Sequence, residues 1–138
     1  MASVAAVEEH DAANANDHAN CRALGQILDR VGDKWTVMVV GTLSRGPLRF
    51  NSIMREIGAV SHRMLTLTLR ALERDGMVTR TAYATIPPKV EYELTVLGRS
   101  LIDPLRILSA WAVENQPTIE SARRQFDDAT GQREIVKA

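Results

Sequence analysis

Fifteen residues, 61–75, constrain the fold more than any other part of the chain. Wound as an α-helix, they put Leu65, Leu69 and Leu72 on one side, with Met64, Thr68 and Ala71 flanking them. Arg63, Arg70 and Arg74 take the opposite side, with His62 and Thr66 along one edge. Ser61 stands where an N-cap belongs and Gly76 where a helix closes in the left-handed region. Just upstream, Phe50, Ile53 and Ile57 share one face of a shorter helix over 50–57, and Gly58-Ala59-Val60 leaves a tight turn between the two. Two helices joined by a three-residue turn containing glycine form the helix-turn-helix pattern.

The flanking segments enlarge this pair into a domain. Leu24, Ile27, Leu28 and Val31 recur at helical spacing from about Cys21 and stop at Gly32. Asp33 is placed to cap a second helix over 34–44, apolar on three sides and therefore central to the core. After Gly76 the period changes, and Met77, Val78, Arg80, Ala82 and Tyr83, then Val90, Tyr92 and Leu94, predict two strands around Ile86-Pro87-Pro88-Lys89. Thr95 is placed to cap a last helix that ends near Asn115 before Pro117, with a kink after Asp103 at Pro104. Thr118, Ser121 and Arg123 mark a short terminal helix. The predicted class is mainly α with a small β-hairpin wing: an acidic disordered tail over 1–20, a core domain over 21–116, and a helix or tail over 117–138.

Whole-chain composition excludes several classes and misleads on one. The chain has 138 residues and a single cysteine, Cys21, which leaves no internal disulfide. No apolar run approaches the roughly 20 residues of a membrane span, and no basic region precedes the first apolar residues as in a signal peptide. A cytoplasmic protein is the expectation. The formal charge is zero, 17 basic against 17 acidic, which by itself counts against a nucleic-acid partner. Divided along the chain it reads −4 over 1–20, +5 over 21–113 and −1 over 114–138. Within 45–80 seven arginines meet three acids. The folded middle is basic and the ends cancel it.

A basic, exposed helix face near a helix N-terminus suits the DNA major groove. Arginine pairs with guanine O6 and N7, threonine reaches a base edge or a thymine methyl, and serine reaches a phosphate. Lys89, beside two prolines in the predicted hairpin tip, is a basic finger for a phosphate or the minor groove. Helix pair and hairpin together form a winged helix-turn-helix. Two rival classes remain. An enzyme would need gathered catalytic groups, yet the chain has no GxSxG, P-loop, dinucleotide glycine pattern, HExxH or CxxC. A protein-interaction module would use the same fold without needing Arg63 or Lys89.

The run Cys21, Asp33-Lys34-Trp35, Gly46-Pro47-Leu48-Arg49-Phe50-Asn51, Ser61-His62-Arg63-Met64-Leu65-Thr66, Leu72-Glu73-Arg74-Asp75-Gly76, Pro87-Pro88-Lys89-Val90-Glu91-Tyr92-Glu93-Leu94-Thr95 and Gly98 resembles the HxlR family of bacterial transcriptional regulators. The resemblance covers residues 21–113 and departs only in the tails and at Val60. It implies a cytoplasmic homodimer, built through the first and last helices, that binds a partly palindromic double-stranded operator and usually represses. It places Ser61, His62, Arg63 and Thr66 at base edges and phosphates, and Arg49 and Asn51 on the DNA backbone. Arg70, on the same arginine face, joins the candidate DNA-binding set, and Lys89 sits in the wing. Leu97, Leu101, Leu105, Leu108 and Ala112 form a stripe on the last helix, and Ile102 and Val113 a second patch. Trp35 and Trp111 read as core or interface residues.

Relatives that sense quinones, aldehydes or oxidants carry the sensing cysteine at the start of the first helix, the position Cys21 matches. A helix N-terminus and Arg22 would favour a thiolate there; the alternative is a thiol that only packs. With no second cysteine in the chain, oxidation could only join Cys21 to its counterpart in a partner or to a small thiol. His10, Asp17, His18 and Cys21 match no structural zinc spacing, so neither metal nor cofactor is expected. The remaining partner is a small-molecule or oxidant effector.

Overall fold

The computed structural model describes residues 3–137, with side chains from 17 to 131. Its elements are α1 (Ser3–Val31), α2 (Lys34–Leu43), β1 (Leu48–Arg49), α3 (Phe50–Ile57), α4 (His62–Arg74), β2 (Val78–Tyr83), β3 (Lys89–Leu94), α5 (Val96–Ser100) and α6 (Ile102–Lys137). The described residues up to Arg99 make one compact unit and those from Ser100 onward a second.

The core of the first unit is built where the apolar periods predicted it. Val39, Val40 and Leu43 of α2, Ile53 of α3, and Leu65, Leu69 and Leu72 of α4 are buried together with Val60, Val78 and Leu94. Each such side chain contributes on the order of 1.5–3 kcal/mol by leaving water. The caps are those the sequence predicts. Asp33 accepts from the Thr36 N–H at 3.1 Å, and Ser61 Oγ accepts from the Met64 N–H at 3.1 Å. Each satisfies one of the N–H groups a helix start leaves without a partner. Gly58 (φ 79°) and Gly76 (φ 75°) turn the chain after α3 and α4 in a conformation that side chains disfavour.

The wing has one strand more than expected. β2 and β3 pair antiparallel from Val78↔Leu94 to Tyr83↔Lys89. β1 joins the other edge of β3, with Leu48 opposite Tyr92 and Arg49 opposite Glu91, giving the order β1-β3-β2. Two residues directly before a helix carry no period-2 signal, so only the partner strand reveals β1.

Both ends of the chain differ from the sequence reading. The helix expected to start at Cys21 runs from Ser3, through the stretch read as a tail. Ala5, Ala6, Ala12, Ala13, Ala15 and Ala19 give that stretch high helix propensity without any apolar stripe, which is why periodicity did not reveal it. In the second unit the chain breaks at Leu101, between α5 and α6, instead of kinking after Asp103. Pro104 then lies in the first turn of α6, where a missing N–H costs little. Pro117 lies inside α6 and does not stop it. A proline removes one backbone bond, and the strong helix formers Glu120, Ala122, Arg123 and Arg124 carry the helix on.

Candidate nucleic-acid interface

α4 presents two faces of opposite character. Leu65, Leu69 and Leu72 lock one into the core, which fixes the rotation of the helix about its own axis. The other leaves Arg63 and Arg70 exposed. Among the described residues the ion pairs are Arg30–Asp75, Lys89–Glu91, Arg99–Glu93 and Arg106–Asp103, so neither Arg63 nor Arg70 is neutralised by a carboxylate. Two unpaired guanidinium groups on a rotationally fixed helix are the arrangement that bidentate recognition of guanine or phosphate requires.

The other predicted positions divide by how free their polar atoms are. Ser61 is exposed and its oxygen accepts the cap bond, leaving the hydroxyl proton for an external acceptor. The His62 ring packs on Phe50 with centroids 4.7 Å apart, tying the start of α4 to the start of α3. Thr66 Oγ1 donates to the His62 carbonyl at 2.8 Å, so it offers a methyl and an acceptor but no free proton. Arg49 occupies the N-cap position of α3 without a side-chain cap bond, and both it and Asn51 are exposed. Arg49 thus joins β1 to α3, beside the wing strand β3.

Lys89 does not sit at the wing tip. It is the first residue of β3, its Nζ 2.7 Å from Glu91 Oε1 and 5.4 Å from the centre of the Tyr83 ring. The tip itself exposes Ile86 and the two prolines. Arg80, exposed in mid-β2 and free of any such pairing, is the basic side chain of the wing that the sequence reading passed over. Its signal was present in the charge count over 45–80, which also included exposed Arg45. Arg74, placed with Arg63 and Arg70 by the helical wheel, is exposed and also lines a hollow with Asp29 and Asp33.

Cys21 is exposed, but it lies well inside α1 and not at its first turn. The helix dipole acts over the first turn only, so the expected stabilisation of a thiolate by a helix N-terminus does not apply. Trp111 is exposed, which excludes it from the core. Trp35 is half-buried, with the Lys34 ammonium 4.6 Å from its ring centre.

The same segment is shared with known proteins. The model of the HxlR-like helix-turn-helix family matches residues 30–120. The HTH-type transcriptional regulator YtfH of Escherichia coli (strain K12) is 39% identical over 98 residues, which span 71% of this chain and 78% of YtfH. Among solved structures, the redox regulator HypR in its reduced form superposes with a TM-score of 0.65 at 39% identity, covering 72% of this chain and 98% of HypR. Diamide-treated YodB from B. subtilis gives 0.59 at 31% identity, covering 65% of this chain and 89% of YodB. With the two-helix reading head, its wing and this match over 30–120 in agreement, the chain belongs to the HxlR-like helix-turn-helix family of transcriptional regulators.

Proposed function

We propose that this chain is a cytoplasmic, non-enzymatic repressor that binds a partly palindromic operator as a homodimer, reading bases with α4 and holding phosphates with the wing. The observation that carries the reading is the pair of unneutralised arginines, Arg63 and Arg70, on the solvent face of a helix whose other face is locked. Ser61, His62, Thr66, Arg49 and Asn51 surround that face in sequence and support backbone and base-edge contacts. The homodimer reading is supported by apolar residues left exposed on a single chain: Leu24, Ile27 and Leu28 on α1, and Ile107, Leu108, Trp111 and Val113 on α6. Among the described residues no helix is long and apolar enough to cross a membrane.

The direct test is fluorescence anisotropy with DNA from the intergenic region beside the gene. Arg63→Ala is expected to weaken operator binding by about 1–3 kcal/mol and to relax preference at one position per half-site. If Arg63→Ala and Arg70→Ala both bind as tightly as wild type at physiological salt, base recognition by α4 is refuted. A protein-interaction module is the outcome if no duplex is bound at all.

Regulation through Cys21 is the second part of the proposal. The thiol is exposed, and similar proteins are described as a redox regulator (HypR) and as a diamide-treated regulator (YodB). Oxidation by diamide would join Cys21 to the partner protomer's Cys21 or to a small thiol, two thiols giving one disulfide as diamide is reduced to the hydrazine. Wild type is expected to release operator DNA after diamide or a quinone while Cys21→Ser does not. Equal release by both would remove Cys21 from the mechanism.

A further inference from the structure

One ion pair in the first unit joins elements far apart in sequence. Arg30 Nε, in the last turn of α1, donates to Asp75 Oδ2 at 3.2 Å across 45 positions. The other ion pairs among the described residues join residues two, six and three positions apart. Asp75 is the C-cap of α4, and its own N–H bonds back to Ala71. The pair therefore joins the end of α1 to the end of the reading helix.

Two hollows border this link. One, of about 460 Å³, is lined by Asp29, Asp33 and Arg74. The other, of about 350 Å³, is lined by Ile27, Met77 and Leu97. Gln26, Arg30 and Asp75 belong to both. Where side chains interdigitate, packing sets the relation of two helices; across a cleft, a charge-assisted bond can set it. The lever is long. α4 has 13 residues, about 20 Å at 1.5 Å per residue, so a 5° change in its angle to α1 moves Ser61 by about 1.7 Å. Hydrogen bonds to bases tolerate a few tenths of an ångström.

We propose that Arg30 and Asp75 are positioning residues for DNA binding: their ion pair is a strut that sets the angle between α1 and the reading helix α4. This rests on the functional reading above, in which α1 meets the partner protomer and the strut therefore sets the spacing of the two reading heads. Neither residue needs to touch DNA.

The test uses the opposite charge changes of two substitutions. Arg30→Gln lowers the charge of the chain by one and Asp75→Asn raises it by one. If the two residues act only through the electrostatic field at the DNA, the first weakens binding, the second strengthens it, and the double variant returns to wild type. A strut behaves differently: both single variants weaken binding to a full palindromic operator by about three- to five-fold, the upper end for a partly exposed pair. The double variant is no weaker than either single one, because the same contact is lost once. Binding to a duplex carrying one half-site stays unchanged in all three. Opposite signs, unchanged affinities, additive losses or an equal loss on the half-site duplex each overturn the strut. Wild-type protein that binds no operator overturns the functional reading itself, and the strut's role with it.

Discussion

Gly98 is the position at which a single methyl group should do most harm. It lies buried in α5, and a Cβ built on it would run into the Met77 carbonyl oxygen while standing 3.1 Å from Leu94 Cδ2. That carbonyl cannot simply move. It accepts the Thr95 N–H at 3.0 Å, and the Met77 N–H is held by the Leu72 carbonyl at 2.9 Å. Thr95 Oγ1 donates to the Gly76 carbonyl at 2.6 Å and accepts from the Gly98 N–H at 3.1 Å, so α5 is clamped onto the junction between α4 and the wing. Overpacking costs about 1–3 kcal/mol and a lengthened backbone bond about 1 kcal/mol. Alanine's better helix propensity returns up to about 1 kcal/mol. Gly98→Ala is thus expected to destabilise by about 2 kcal/mol and lower Tm by about 7 °C for a chain of this size. Thermal melts followed by circular dichroism at one fixed protein concentration measure it, with Gly41→Ala as the control. Gly41 lies inside α2 with nothing within 4 Å of an added Cβ, so its Tm should hold or rise. A Gly98→Ala protein that melts with or above wild type would refute the clamp.

Ser61 has a capping oxygen and a free proton, and two substitutions separate them. Ser61→Ala should cost about 1 kcal/mol of stability through the lost bond to Met64, whereas Ser61→Asp should keep the melting temperature and weaken DNA binding by repelling phosphate. Equal DNA affinity for Asp and Ser would remove Ser61 from the interface. Lys89→Ala should weaken binding to all sequences alike and flatten the log–log salt slope by about 0.9. That requires the ammonium to leave Glu91 for a phosphate, so an unchanged slope would leave the wing's phosphate contact to Arg80. In the core, Leu72→Ala should cost about 2–5 kcal/mol by leaving a cavity beneath α4; a loss under 1 kcal/mol in denaturant titration would contradict the packing described.

Parts of the fold that depend on residues three or four apart were legible from residue order. The boundaries of α3 agree with the predicted 50–57, and Asp33, Ser61 and Thr95 each accept an N–H at the start of a helix, where capping chemistry puts them. The two faces of α4 follow from its apolar spacing, which by itself puts Arg63 and Arg70 toward solvent. The total charge of zero conceals a basic middle between acidic ends.

What residue order alone determined is therefore the local code: the spans of α2, α3 and α4, the caps, the turn at Gly58, and which side of α4 is apolar. Tertiary structure decided everything that depends on which distant residue arrives. Arg30 finds Asp75 across the chain. Lys89, predicted as a free finger, is held by Glu91 and Tyr83 on the sheet surface, while the arginine face ends at Arg74 beside a hollow that Asp29 and Asp33 also line. β1 exists only because β3 lies beside it. Cys21 loses its helix N-terminus because α1 continues ahead of it through alanines that carry no apolar period. The physical reason is common to these cases. Periodicity and capping are set by backbone geometry within one turn, whereas the partner of a charge or a strand edge is set by the packing of the whole unit.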